Sequence, residues 1–246
     1  MKVKALWLLA LLCPAILADR GSEIKDAPLL PEYHVQTVED ELQVDGRLSE
    51  PAWSRAQPLT LLFPWDSQTG KKQKTAVRVL CSRNLLYVGY ECEDEDITAA
   101  YQRPDDPVYE DDCVEIFLRP NDDSGPYIGL EMNARGVLFD YFFPFPNDLD
   151  KKFDLEGAKL KTSLRGTLNH SADVDEGWSL ELAIPFRNFS RWSQQLPPSK
   201  GVRWRAQINR WDGTQERGGR RLSMWCHSGL KQPDPHNPER FGFLIF

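Results

Sequence analysis

From Thr75 to the C-terminus the chain alternates apolar and polar residues with a period of two, and no long stretch keeps the 3.6 period of a helix. Successive side chains leave a strand on opposite sides, so this period describes strands with one buried face. In KTAVRVLCS, Val77, Val79 and Cys81 point one way. After the polar turn Ser82-Arg83-Asn84 the pattern resumes with Leu86, Val88 and Tyr90, which predicts a β-hairpin. Further strands are expected at Cys113 to Leu118, Tyr127 to Asn133, Val137 to Phe143, Trp178 to Ile184, Trp204 to Trp211, Arg221 to Trp225 and Phe241 to Phe246. Turn-rich pieces such as Asn121 to Gly125 and Asp212-Gly213 separate them. A helical turn or two fits only Arg187 to Gln195, hemmed in by Pro185, Pro197 and Pro198. The expected fold is all-β, an antiparallel β-sandwich of the immunoglobulin or jelly-roll kind, with two packed sheets and very little helix.

Ahead of the strands, MKVKALWLLALLCPAILADR combines two lysines, a short apolar run and the small residue Ala18 before Asp19. That order is expected of a secretory signal peptide spanning residues 1–18, too short to cross a bilayer. Residues 19–40, with Pro28 and Pro31, read as an extended lead-in, and the compact domain is expected from 41 to 246. Removing Lys2 and Lys4 leaves 28 basic residues against 37 acidic ones, a formal charge of −9. Such a field repels phosphate and anionic lipid, so neither nucleic acid nor membrane is an expected partner. The reading is of an exported protein, secreted or periplasmic, in which Cys81, Cys92, Cys113 and Cys226 either pair as disulfides or pack as small apolar groups.

The stretch QVDGRLSEPAWSRA, Gln43 to Ala56, places two tight turns before Trp53, whose ring is expected to close one end of the sandwich. With TAVRVLCSRNLLYVGYECED, EDDCVEIFLRP, LEMNARGVLFD, GWSLELAIPF, INRWDG and NPERFGFLIF it resembles, in order and over nearly the whole chain after residue 41, the family 9 carbohydrate-binding modules and their DOMON-type relatives. The resemblance implies a β-sandwich that holds a glycan or its terminus, within polysaccharide breakdown. Sugar sites pair flat aromatic faces with carboxylates, amides or guanidinium groups at their rim.

In the xylanase-borne members a sugar lies between two tryptophans. The first position matches Tyr109, and the second falls at Pro235, beside His236. The carboxylate of VEIF matches Glu115, and Glu131 stands where the sugar-binding members carry an arginine, which admits a cation instead of a sugar. Trp211 sits where strand meets loop in NRWDG, while Asn209 and Arg210 alternate in direction, so one of the two points away from any shared site. Asn133 and Trp225 complete the candidate set.

Two other readings stand beside this one. A haem-binding electron-transfer module would draw axial ligands from Met132, Met224, His227 or His236, and an accessory subunit of a glycoside hydrolase would work beside a separate catalytic chain. Calcium would seek the acidic pieces Asp94-Glu95-Asp96, Asp105-Asp106 and Asp122-Asp123. No carboxylate pair, nucleophile elbow or zinc motif singles out a catalytic centre.

Overall fold

A computed structural model describes residues 29–121, 126–144, 149–213 and 219–246. The expected signal peptide at 1–18, the first part of the lead-in and Asp122-Asp123 lie outside these described residues. In chain order the strands are β1 (Glu32–His34), β2 (Gln36–Thr37), β3 (Leu59–Thr60), β4 (Thr75–Cys81), β5 (Leu85–Glu93), β6 (Cys113–Arg119), β7 (Tyr127–Asn133), β8 (Leu138–Phe143), β9 (Lys159–Arg165), β10 (Gly177–Pro185), β11 (Arg203–Asp212), β12 (Arg221–Met224) and β13 (Gly242–Ile245). One short helix, α1 (Pro51–Arg55), precedes β3. A 3-10 turn at Phe186–Phe189 occupies the start of the stretch where a helical turn was expected.

Two sheets face each other. One runs β1-β13-β11-β6-β7-β8 with β12 added beside β11, and the other runs β2-β4-β5-β10-β9 with β3 beside β4. All long pairings are antiparallel, but the sheets are mixed. β1 lies parallel to β13 and β2 parallel to β4. The cause is local: one extended N-terminal segment hands over from the first sheet to the second at Val35, whose N–H bonds Ile245 O at 2.8 Å. The expected lead-in is thus extended but also paired, so the sandwich takes in the chain from Glu32 onward.

Between the sheets the alternating residues meet as one core, with Val114, Ile116 and Leu130 on one side and Val79, Val88 and Leu180 on the other. The indoles of Trp178 and Trp204 are fully buried there. The four cysteines are free, buried thiols, the second of the two alternatives open from sequence. Burial pushes all four thiol pKa values up, as expected of groups acting as small hydrophobes.

The DGRLSEPAW piece covers the outer face of the six-stranded sheet instead of closing an end. Pro51 opens α1, where its fixed φ suits the first turn. Trp53 then packs with Ala52 and Ala56 on Leu80, Tyr87 and Ala183. Room for the ring comes from Gly89, where a Cβ would lie 3.0 Å from Trp53 Cζ3 and 2.5 Å from Leu48 Cδ2. Below them Glu181 accepts from the amides of Asp45 and Gly46, each at 2.7 Å, and from Trp53 Nε1 at 2.8 Å. Gly46 adopts φ +87° at this turn, and a Cβ there would lie 2.6 Å from the Thr162 carbonyl carbon.

Candidate functional site

The outer face of the seven-stranded sheet is also covered, by a second apolar cluster in which Val108 and Phe241 close over Cys113, Phe117, Tyr127, Phe139 and Tyr141. The central strands β6 and β7 are therefore buried on both faces. Into this face the strands place a polar row. Asn209 pairs with Glu115, Glu115 with Glu131, and Glu131 with Phe139, so the four residues stand side by side across β11, β6, β7 and β8. Directly opposed residues on one sheet face bring their Cβ atoms to about 5 Å, and like charges there repel.

Glu115 and Glu131 are 2% and 4% exposed. Asn209 Nδ2 donates to Glu115 Oε2 at 3.3 Å, and the Tyr141 hydroxyl donates to Glu131 Oε1 at 2.9 Å. The second oxygen of Glu131 and the side-chain oxygen of Asn209 are buried without a partner. Burial is the main cause that lifts Glu115 to about 7, against the lowering pull of Arg220 and the Asn209 bond. Burial, then the neighbouring Glu115, raises Glu131 well above the usual carboxylate range. Both carboxyl groups therefore keep their protons to higher pH than free carboxylic acids do.

Tyr141 reaches Glu131 because its cross-strand partner is Gly129. A Cβ at Gly129 would lie 2.1 Å from Tyr141 Cζ, so the ring lies across a bare backbone.

Rings border the row. Tyr109, 36% exposed, leans on Phe139 with centroids 6.0 Å apart. His236 lies at the surface with its ring stacked on Phe117, centroids 4.8 Å apart and planes 16° apart, and its Nδ1 is 2.7 Å from the Tyr127 hydroxyl. The packing around that ring disfavours imidazolium and lowers the histidine pKa, against a raising pull from Asp234. The position matched to the family's second tryptophan thus has a flat ring nearby, supplied by His236 rather than by the buried Pro235. Trp211 shares the outer face with Asn209, and the Arg220 guanidinium sits 4.5 Å from its ring centroid.

Three candidates lie elsewhere or are fully engaged. Arg210 alternates with Asn209 and points between the sheets, where it bonds Asp94 at 2.8 Å and Asp212 at 2.7 Å. Asn133 has both ends of its amide engaged, its nitrogen donating to Asp111 Oδ2 at 2.9 Å in the segment before β6 and its oxygen accepting from the Val137 amide of the β7–β8 turn at 3.0 Å. Trp225 packs against the main core and the Gly242 backbone.

Nor do the haem-ligand candidates converge. Met132 is in the inter-sheet core, Met224 and His227 pack with Trp65, and His236 stacks on the outer face.

Two acidic groupings have oxygens within 4.8 Å of one another. In Asp94, Asp112 and Asp212 all six carboxylate oxygens already accept from protein donors. Asp94 takes the Asp96 amide, Trp178 Nε1 and Arg210. Asp112 takes Gly213 and Thr98, and Asp212 takes Gln73, Arg210 and Arg221. Arg210 stands where a cation would, so this donor set does not fit a bare calcium ion. A cavity of about 160 Å³ beside it is lined by Gln73, Asp94, Asp212 and Arg221 among others, and none of the bordering rings lines it. The second grouping, Asp105, Asp140 and Asp154, has two exposed members, and Asp140 already accepts the Leu155 amide.

Sequence reasoning missed Arg220, Tyr141 and the ring pair of His236 with Phe117. Arg220 carries no pattern of its own in GGRR, whereas Tyr141 opposite Gly129 is legible once the register of β7 and β8 is known.

A family model described as carbohydrate-binding family 9 matches residues 57–246. Among curated proteins, none matches the chain in sequence. Among solved structures, a Bacteroides uniformis protein with a provisional carbohydrate-binding assignment superposes with a TM-score of 0.72 at 20% identity, covering 89% of this chain and 100% of its own. A family 9 carbohydrate-binding module from Caldicellulosiruptor kristjanssonii, in complex with cellotriose, gives a TM-score of 0.58 at 16% identity, with 87% and 93% covered. The same module in complex with glucose gives 0.58 and 16%, with 87% and 95% covered.

Proposed function

The chain belongs to carbohydrate-binding family 9, and from that premise we propose that it is an exported binding module that holds a glycan or its terminus on the outer face of the seven-stranded sheet, in the service of polysaccharide breakdown. The observation that carries the reading is the arrangement of Tyr109 and His236 about a buried polar row whose acceptors Glu131 Oε2 and Asn209 Oδ1 lack partners. A sugar offers C–H patches for the rings and hydroxyl donors for the acceptors. The relatives that bind glucose and cellotriose share the fold and support the ligand class. The lysine-led apolar N-terminus supports export.

Isothermal titration calorimetry with glucose and cellotriose tests the reading. Tyr109→Ala and His236→Ala are each expected to weaken binding roughly tenfold, since stacking contributes on the order of 1 kcal/mol. Wild-type protein silent toward both sugars, or variants that bind as well as wild type, would end it.

A further inference from the structure

We propose that the subsite over Glu115, Glu131 and Asn209 takes a protonated amine, so that an amino sugar is preferred to its neutral or N-acetylated counterpart; this rests on the glycan-binding reading of the same face. The row ends in two buried acceptors with no donor, Glu131 Oε2 and Asn209 Oδ1, on side chains 4% and 0% exposed. A hydroxyl brings one donor and two lone pairs, and the lone pairs would face more acceptors. An ammonium brings three donors and no acceptor. Its charge also compensates two carboxyl groups set directly opposite each other on neighbouring strands.

The surroundings suit a cation as well. Phe139 is the next residue of the row, with Tyr109 6.0 Å and Tyr141 5.1 Å from its ring centroid. Ring faces attract cations. The protein's own Lys151 already shows the geometry, its Nζ standing 5.3 Å from the Phe139 centroid. Lys151 reaches that ring on an exposed side chain, which an incoming ammonium can displace. Arg220 is the fixed cation of the region. It is held by Trp211 and by the carbonyls of Gly213 at 3.2 Å and Asp111 at 3.3 Å, so it offsets one carboxylate and leaves the Glu131 oxygen unpartnered. Burial raises both acids, and the neighbouring Glu115 adds to it at Glu131, so the bare carboxylate that accepts from an ammonium forms by releasing a proton to solvent.

Glucosamine, glucose and N-acetylglucosamine differ only at C2 and separate the outcomes. Titration calorimetry at pH 7 in two buffers of different ionisation enthalpy is expected to show glucosamine binding about tenfold tighter than the other two, with net proton release. Glu131→Gln keeps the shape and removes the charge, so it should abolish the preference, lowering glucosamine affinity about tenfold more than it lowers glucose affinity; Glu115→Gln serves as a second variant should the first fold poorly. Glucose binding without an amine preference, or a preference that survives both substitutions, overturns this proposal and leaves the glycan-binding reading standing. Silence toward all three sugars overturns both.

Discussion

Trp53 Nε1 donates to Glu181 Oε1 at 2.8 Å, tying the N-terminal turn to a strand 128 residues further along the chain. One carboxylate thereby satisfies an indole and two backbone amides in a site from which water is excluded. Glu181→Ala would strand all three donors, and unsatisfied buried donors cost about 1–3 kcal/mol each before relaxation. The expected loss is on the order of 3 kcal/mol in urea unfolding, with Glu181→Gln smaller because an amide oxygen can still accept. A loss under about 1 kcal/mol for the alanine variant would show that the turn can open to water at little cost.

Arg210 is the second buried hub. It neutralises Asp94 and Asp212 and also donates to Glu93 O at 2.7 Å, at the end of β5. Removing one partner of a buried ionic group leaves uncompensated charge, so Arg210→Met is expected to destabilise by about 3–5 kcal/mol. Restoring the charge balance by also changing Asp94→Asn should recover part of that loss, since Asp212 keeps Arg221 as a partner at 3.1 Å. A double-mutant comparison by denaturant unfolding checks it, and no recovery would mean that shape rather than charge governs the site.

How far the sequence alone could reach follows from these two residues. Alternation located the long strands to within one or two residues, because each buries a face. It left open which face met the other sheet. Val114 and Glu115 alternate as clearly as Asn209 and Arg210 do, yet only pairing shows that Glu115 and Asn209 share the outer face while Arg210 turns inward. β9 escaped notice because KLKTSLR is a half-exposed edge strand with only Leu160 and Leu164 apolar. α1, at five residues, is too short to show a period. His236 and Arg220 lie off the strands, where no period exists to place them.

Stability should fall as pH rises through neutrality. Burial raises Glu115 and Asp112 to about 7 and Asp140 to about 6, above unfolded values near 4. Between the two values the native state binds more protons than the unfolded chain, so the unfolding free energy has a negative slope against pH. The contribution is fully present below about pH 4 and is lost as pH passes 6 to 7. A shift of the size seen at Glu115 corresponds to roughly 3 kcal/mol. Urea midpoints at pH 5.0 should therefore exceed those at pH 8.0, and Glu115→Gln should flatten the difference. A midpoint that rises across this range would contradict the buried, protonated acid pair.

Gly129 offers the sharpest link between packing and the site. The Tyr141 ring occupies the space a Cβ at Gly129 would need, and its hydroxyl donates to Glu131 Oε1. Gly129→Ala must push the ring aside. The expected loss is about 1–3 kcal/mol from overpacking, together with weaker ligand binding, because Glu131 loses the bond that orients it. Tyr141→Phe separates the two effects: it keeps the ring over Gly129 and deletes only the hydroxyl. If Tyr141→Phe binds ligand as weakly as Gly129→Ala while remaining more stable, the hydroxyl positions Glu131 and the ring supplies the packing. If Tyr141→Phe leaves binding unchanged, the orientation of Glu131 comes from the strands alone.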